Sequence, residues 1–213
     1  ARYTAEDIAG YESGDRLYYP DVDWMKETVR EFSPSTSINV SSRGGNKVAQ
    51  YYVSLGYLNS TGIYKNTDMN DGYSTNSNLN RINFRSNIDV SLLRDLTLRL
   101  NLGGQINDVN SPRPATSDIW TRLYDYPTHL FPVYAKNTLY GGTSTFPDNP
   151  MGYINSRGYR TNHNRFFQSD LDLKYDLGHY IKGLSVGARV GFDNQYNVND
   201  AWSKTFSVFQ VTK

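Results

Sequence analysis

The fold is decided by residues 81–106, whose sequence is RINFRSNIDVSLLRDLTLRLNLGGQI. Nearly every second side chain is apolar up to Leu92, and the alternation resumes at Leu96. A period of two is typical of a β-strand whose two faces meet different surroundings. Because so few residues separate the two alternating runs, we expect them to form an antiparallel hairpin.

Two further hairpins of the same kind flank this one. Residues 167–177 and 184–192 alternate on either side of a short connector. An earlier pair is joined through Gly44, Gly45 and Asn46, which accept the positive φ of a tight turn. The pattern predicts about seven strands, near residues 36–42, 47–58, 81–92, 96–106, 165–177, 183–195 and 202–211.

The connections between these strands alternate between short and long. Tight turns close the hairpins, whereas residues 59–80 and 107–164 form long polar loops that we expect to carry short helices. Transmembrane β-barrels have tight turns on one rim and extended loops on the other, and a soluble sandwich has no reason to sort its loops in this way. We therefore predict an all-β fold, a segment of an antiparallel up-and-down transmembrane β-barrel. Residues 35–213 would belong to the barrel, and residues 1–34 would be an outer loop with a short helix leading into it.

Periodicity alone leaves open which face meets lipid, since a soluble sheet with one buried face alternates in the same way. The predicted strands reach about ten residues, the length that a tilted membrane-spanning strand needs, and aromatic residues crowd their ends. Their polar face carries charges of both signs, which suits a wet lumen. These charges either guide a substrate, contact a plug, or pair across strands and keep the interior solvated. The predicted lumen-facing charges are Arg81, Arg85, Asp89, Arg99, Asp170, Asp172 and Arg189.

Composition excludes several classes of protein. The formal net charge of +1 argues against a polycationic surface for nucleic acid, and the absence of cysteine excludes disulfides and thiolate metal sites. The three histidines stand apart in the sequence and lack metal-ligand spacing. Neither a nucleophile elbow nor a phosphate-binding loop is present. The sequence thus predicts no enzyme activity, no cofactor, no metal site and no nucleic-acid partner.

Several segments resemble the SusC/RagA-type family of TonB-linked outer-membrane transporters. Residues 50–63, QYYVSLGYLNSTGI, resemble an early barrel strand of the family, and residues 83–89, NFRSNID, resemble the strand that follows it. Asp23-Trp24 resembles the segment before the second barrel strand, and Asn149-Pro150 resembles a feature of the long outer loop. The resemblance keeps the family's order along nearly the whole chain.

The resemblance implies active uptake across the outer membrane of a Gram-negative bacterium. Barrels of this family have about 22 strands, and a small, odd set of strands cannot close on itself, so we expect this chain to be part of a longer polypeptide. The implied substrate is an oligosaccharide or an oligopeptide. The implied partners are a SusD-like surface lipoprotein, outer-membrane lipid and the TonB complex, which would act through N-terminal parts that lie outside these residues.

One long loop is rich in aromatic residues and would lie at the outer mouth of the barrel. Aromatic rings stack on sugars while neighbouring Asn and Asp side chains bond the hydroxyls, so the loop is a candidate for substrate binding. The alternative is that these rings pack the loop onto itself or onto the partner lipoprotein. The candidate substrate-binding residues are Trp120, Tyr124, Tyr126, His129, Tyr134 and Tyr140.

Two other functions remain open from the sequence. A soluble carbohydrate-binding β-sandwich module would use the same aromatic loop as its platform, and it would be soluble when expressed alone. A passive porin would share the barrel but would conduct substrate without a plug or a proton gradient.

Overall fold

The computed structural model describes residues 3–70 and 72–212. Its main feature is a six-stranded antiparallel sheet in which each strand pairs with the next long strand along the chain, in the order β1-β2-β3-β4-β7-β8. A small separate hairpin joins β5 and β6. The elements in chain order are α1 (Ala5–Ser13), α2 (Trp24–Thr28), β1 (Ser35–Gly45), β2 (Ala49–Thr61), β3 (Asn78–Leu93), β4 (Leu96–Pro112), α3 (Thr116–Asp125), β5 (Tyr134–Lys136), β6 (Leu139–Tyr140), α4 (Pro150–Asn155), β7 (Gly158–Asp176) and β8 (Ser185–Ser203).

The three predicted hairpins are present, and local turn chemistry explains them. Between β1 and β2, Gly45 adopts a positive φ of 148°. The Asn46 side chain then accepts hydrogen bonds from the backbone N–H groups of Val48 and Ala49, at 2.8 and 2.9 Å. In the last hairpin, Gly183 adopts a φ of 83° just before β8 begins. Each turn thus reverses the chain within a few residues and fixes the register of its hairpin.

The strands extend further into the outer loops than the sequence predicted. β4 continues to Pro112 and β7 begins at Gly158, so the long loop covers residues 113–157. The extra strand residues are largely polar. Side chains such as Asn162, Asn197 and Asn199 hydrogen-bond to one another there. In β4 and β7 the apolar alternation ends before these positions, which is why it underestimated the length of these two strands, whereas β8 continues the alternation through Tyr196, Val198 and Trp202.

The prediction of a seventh strand at residues 202–211 is wrong. β8 instead runs without interruption to Ser203, and within the described residues 204–212 the strand pairing is limited to an isolated parallel bridge between Gly141 and Phe209. Phe206 packs against the hydrophobic core of the loops rather than on a sheet. The packing of the Phe206 ring against the loop core therefore explains why the strand predicted at residues 202–211 does not form.

The loops build a hydrophobic core of their own beside the sheet. Helices α2, α3 and α4 contact one another there. Among the helices of the described residues, none combines the length and the apolar character that crossing a membrane would require. The buried members of this loop core are Val22, Trp24, Tyr64, Ile119, Leu123, Phe131, Tyr153 and Ile154.

Candidate functional site

The register of the sheet sorts its side chains onto two faces of different chemistry. Residues paired across neighbouring strands lie on the same face. Ile88 pairs with Leu100, which pairs with Leu171, and Leu171 pairs with Val190. We call this surface the apolar face. It also carries Ile82, Phe84, Leu98, Phe167, Leu173, Val186 and Phe192.

The apolar face is open to its surroundings. The exposed fraction is 39% for Ile82, 44% for Leu171 and 57% for Val186. The loop core takes no residue from the six long strands within the part of the chain that the structure describes. An exposed apolar surface of this extent is typical of a face that contacts membrane or another protein.

The apolar face changes character near the outer loops. Asp108 follows Ile106 on the same face of β4, two residues further along the strand. Its carboxylate lies 2.8 Å from Nη1 of Arg165 and 2.6 Å from Nδ1 of His163. Asn59 and Asn80 pair beside this cluster, with a hydrogen bond of 2.7 Å between their side chains. The apolar face is thus a band that ends in charged and polar groups on its loop side.

The predicted lumen-facing charges all lie on the opposite face, which we call the polar face. Asp89, Arg99, Asp172 and Arg189 stand side by side across four strands with alternating sign. Arg99 bonds Asp89 at 3.1 Å, and Arg189 bonds Asp172 at 2.6 Å. These contacts are the cross-strand pairs that the sequence offered as one alternative. Asp170 lies in the next row of the same face, and Arg85 and Arg81 lie in rows further toward the loops.

A groove of about 600 Å³ runs over the polar face. A smaller groove of about 220 Å³ continues it between Arg85 and Asp170. Amides and hydroxyls dominate the side chains that line these grooves, and such groups keep a surface wet while offering donors and acceptors to a polar ligand. Polar side chains of the larger groove include Asn39, Ser41, Ser54, Asn83, Arg85 and Gln168.

The structure separates the six candidate aromatic residues into packed and exposed members. Trp120 and Tyr126 pack against the loop core. Burial raises the pKa of Tyr126, and the nearby Asp148 adds to the effect, so its hydroxyl stays protonated at neutral pH. Tyr124 is 71% exposed and stacks on Trp120 with ring centroids 5.9 Å apart. The Trp120–Tyr124 stack is therefore the part of this set most open to a ligand.

The other three candidates lie elsewhere in the loops. Tyr134 and Tyr140 stack on each other at 5.6 Å across the β5–β6 hairpin, and burial raises the pKa of both hydroxyls. The Tyr140 hydroxyl lies 2.9 Å from that of Ser156. His129 contacts the Tyr3 ring edge-on at 6.3 Å. The six residues thus form separate contacts and not one common platform.

Asn149 organises the loops from a fully buried position. Its side-chain oxygen accepts hydrogen bonds from the N–H groups of Met151 and Gly152, which caps α4. Its side-chain nitrogen donates to the carbonyls of Val133 and Gly141, on either side of the small hairpin. One amide therefore joins α4 to β5 and β6, which gives the Asn149-Pro150 dipeptide a structural role.

A charged cluster beside α4 has no counterpart in the sequence-based prediction. The carboxylate of Asp148 accepts hydrogen bonds from Arg122 at 2.7 Å and from Arg157 at 2.6 Å. Both guanidinium groups lie over the Tyr153 ring, at 3.7 and 4.8 Å from its centroid. Burial alone would raise the pKa of Asp148, but the bonds from the two arginines outweigh burial and hold it below its ordinary value.

The architecture is mostly β, a six-stranded antiparallel meander with short helices in its loops. It matches a part of the RagAB peptide importer, solved in its closed-closed state, with a TM-score of 0.65 and 20% sequence identity over 92% of this chain. A second structure of the RagAB peptide transporter gives a TM-score of 0.56 and 18% identity over 85% of the chain. The predicted resemblance to the SusC/RagA type is thus confirmed as a likeness of fold.

The match covers a limited share of the longer proteins. The chain spans 22% and 20% of the two matched chains. No family model matches the sequence, and no curated protein matches it. The two matched structures are transporters and not enzymes.

Proposed function

We propose that this chain is part of a TonB-dependent outer-membrane transporter that imports oligosaccharides or oligopeptides together with a SusD-like surface lipoprotein. Residues 35–213 would form part of the barrel wall, and residues 1–34 would be an outer loop. The observation that carries the proposal is the sorting of the sheet into an uncovered apolar face and a charged polar face.

The dimensions of the apolar face agree with a membrane-spanning wall. On β4 the apolar side chains run from Leu96 to Ile106, which is about 33 Å along an extended strand. A tilt of about 40° reduces this length to roughly 25 Å, which is the height of the apolar band on outer-membrane barrels. The charged cluster of Asp108, His163 and Arg165 then falls just outside the hydrocarbon region.

The edges of the sheet support a longer barrel. Within the described residues, β1 and β8 each pair on one side only, so that each leaves a row of backbone groups open. Proteins rarely leave long strand edges exposed, because such edges recruit other strands. Further strands on both sides would satisfy these groups and close the wall around the polar face.

The soluble sandwich is less well supported. A β-sandwich requires a second sheet packed about 10 Å from the first, over its apolar side chains. The side chains of Val190 and Phe192 are instead 69% and 58% exposed. This alternative also predicts that the 213-residue chain alone is monodisperse in buffer and binds glycans.

Fractionation of the full-length parent protein tests the proposal. We expect it to sediment with the outer membrane, to resist extraction by alkaline carbonate, and to require detergent for solubility. A parent protein that is freely soluble in buffer contradicts the proposal. Substrate uptake that continues after the proton gradient is abolished would favour a passive porin instead.

A further inference from the structure

A basic cavity lies where the polar face meets the loops. Its volume is about 590 Å³, and an adjoining cavity of about 460 Å³ shares Arg113 with it. The first cavity is lined by Arg157, Lys204 and the hydroxyls of Ser203 and Thr205, and the second adds Arg160. Four cationic side chains therefore border these two adjoining cavities, which we together call the basic cavity.

The register of the sheet places the basic cavity on the polar side. Pro112, Tyr159 and Trp202 pair with one another on the side of the apolar face. The next residue along each strand faces the other way, and Arg113 accordingly donates from Nε to the Ser203 hydroxyl at 2.8 Å. A ligand in the basic cavity would therefore lie above the charged polar face and not against lipid.

Positive charge in the basic cavity exceeds the negative charge around it. Arg157 is paired with Asp148, which also holds Arg122. In the described part of the chain, no carboxylate forms an ion pair with Arg113, Arg160 or Lys204. Asp200 is the carboxylate that borders the second cavity. Three cations thus remain available to an incoming anion.

The arginines are held in place before any ligand arrives. Arg157 is fixed by its bond to Asp148 and by its stacking on Tyr153. Arg160 donates from Nη2 to the Arg113 carbonyl at 2.6 Å, and the backbone N–H of Lys204 donates to the Arg157 carbonyl at 3.1 Å, which fixes the backbone that carries Arg157. Guanidinium groups fixed in this way bind carboxylates with a smaller loss of side-chain entropy.

We propose that the basic cavity binds carboxylate groups of the transported ligand, so that the substrate class is an acidic oligomer. The inference rests on the proposed transport function. Two adjoining cavities with cations in both suit an extended ligand that repeats its negative charge, such as an acidic oligosaccharide or an acidic peptide. Neutral groups of the same ligand would then meet the amides and hydroxyls of the groove below.

Binding of matched probes to the full-length parent protein in detergent tests the inference. One pair is an oligogalacturonate and the neutral galactose oligomer of equal length, and the other is a glutamate-rich oligopeptide and its glutamine counterpart. We expect the acidic member of at least one pair to bind about tenfold more tightly at low salt, because each charged hydrogen bond adds substantially to affinity. The preference should weaken as salt screens the charges.

Matched double variants locate the effect. Arg160→Gln with Lys204→Gln removes two cations from the basic cavity, and we expect it to abolish the acidic preference. Arg94→Gln with Lys182→Gln removes the same charge at exposed positions in the tight turns and should leave the preference intact. A preference that is absent in both pairs, or that survives the first double variant, overturns the inference. A parent that needs no detergent would contradict the transport proposal instead.

Discussion

At the scale of single residues, Asp148 links Arg122 to Arg157 beside α4, and we expect protonation of its carboxylate to weaken this link. Its pKa is depressed because Arg122 and Arg157 stabilise the carboxylate more than burial disfavours it. A group with a depressed pKa in the folded state contributes stability that is complete above its unfolded pKa of about 3.8 and is lost as the pH falls through the folded value. We expect the region around α4 to loosen in that acidic range and to be insensitive to pH between about 5 and 8.

Amide hydrogen exchange of residues 151–155 in the full-length parent, corrected for the intrinsic rate at each pH, measures this prediction. Asp148→Asn should lower protection at neutral pH, since two arginines lose their counter-charge, and should flatten the acidic loss. The exposed Asp125, at the end of α3, offers a control, and Asp125→Asn should keep the wild-type pH profile. An unchanged profile in Asp148→Asn would contradict the role of Asp148.

Sequence reasoning located residues whose face is fixed by alternation, and it missed those brought together by the loops. Arg99 and Asp172 were placed on one face because a strand permits only two orientations. Arg122 and Asp148 lie 26 positions apart in a segment without regular period. Nothing in their spacing indicates the contact, because it depends on how α3 and α4 pack.

At the scale of elements, two adjacent glycines of β4 test the packing of the faces separately. On the apolar face, a Cβ added to Gly104 would lie 2.4 Å from the Phe84 ring and 3.1 Å from the Phe166 carbonyl. On the polar face, a Cβ added to Gly103 would meet its nearest neighbour at 4.0 Å. Gly104 therefore makes room for Phe84, whose ring lies 6.4 Å from that of Phe167.

We expect Gly104→Ala to lower the free energy of unfolding of the full-length parent by about 1 kcal/mol, because Phe84 must move. Gly103→Ala should leave this free energy unchanged or raise it slightly, since alanine restricts the unfolded chain more than glycine does. Denaturant unfolding in detergent micelles measures both variants. Equal effects of the two substitutions would show that the close packing of Phe84 against Gly104 does not contribute to the free energy of unfolding.

The long hairpins could be predicted because strand alternation and turn chemistry agree along the same residues. The loop-side ends of β4 and β7 could not, since they are mostly polar and lose the regular apolar alternation. The end of β8 was missed because residues 196–201 were predicted to connect two strands, although Tyr196, Val198 and Trp202 continue its apolar face. Helix α4 has six residues and begins at Pro150, directly after the buried capping residue Asn149, so neither its length nor a periodic pattern predicts it. The prediction of a strand at residues 202–211 was wrong because Phe206 packs against the loop core and not on a sheet.

At the scale of the whole molecule, stability is divided between two unlike parts. The loops have a buried core with aromatic and aliphatic residues, as in a soluble domain. The described part of the sheet instead has hydrogen-bonded strands in which apolar side chains such as Leu171 and Val190 are largely exposed. In water such a sheet would lose the contribution of apolar burial, and hydrocarbon around its apolar face would restore it. The proposed folded state of the sheet therefore depends on hydrocarbon around its apolar face.

The most direct test is a cysteine scan along β4 of the full-length parent in lipid bilayers, on a cysteine-free background. Spin labels at residues 98, 100 and 102 should be accessible to oxygen, which dissolves in lipid, and shielded from a water-soluble nickel chelate. Labels at residues 97, 99 and 101 should show the opposite accessibility. If the two sets do not differ, or if the first set is shielded from both reagents as in a dry protein interior, the assignment of the apolar face to lipid is contradicted.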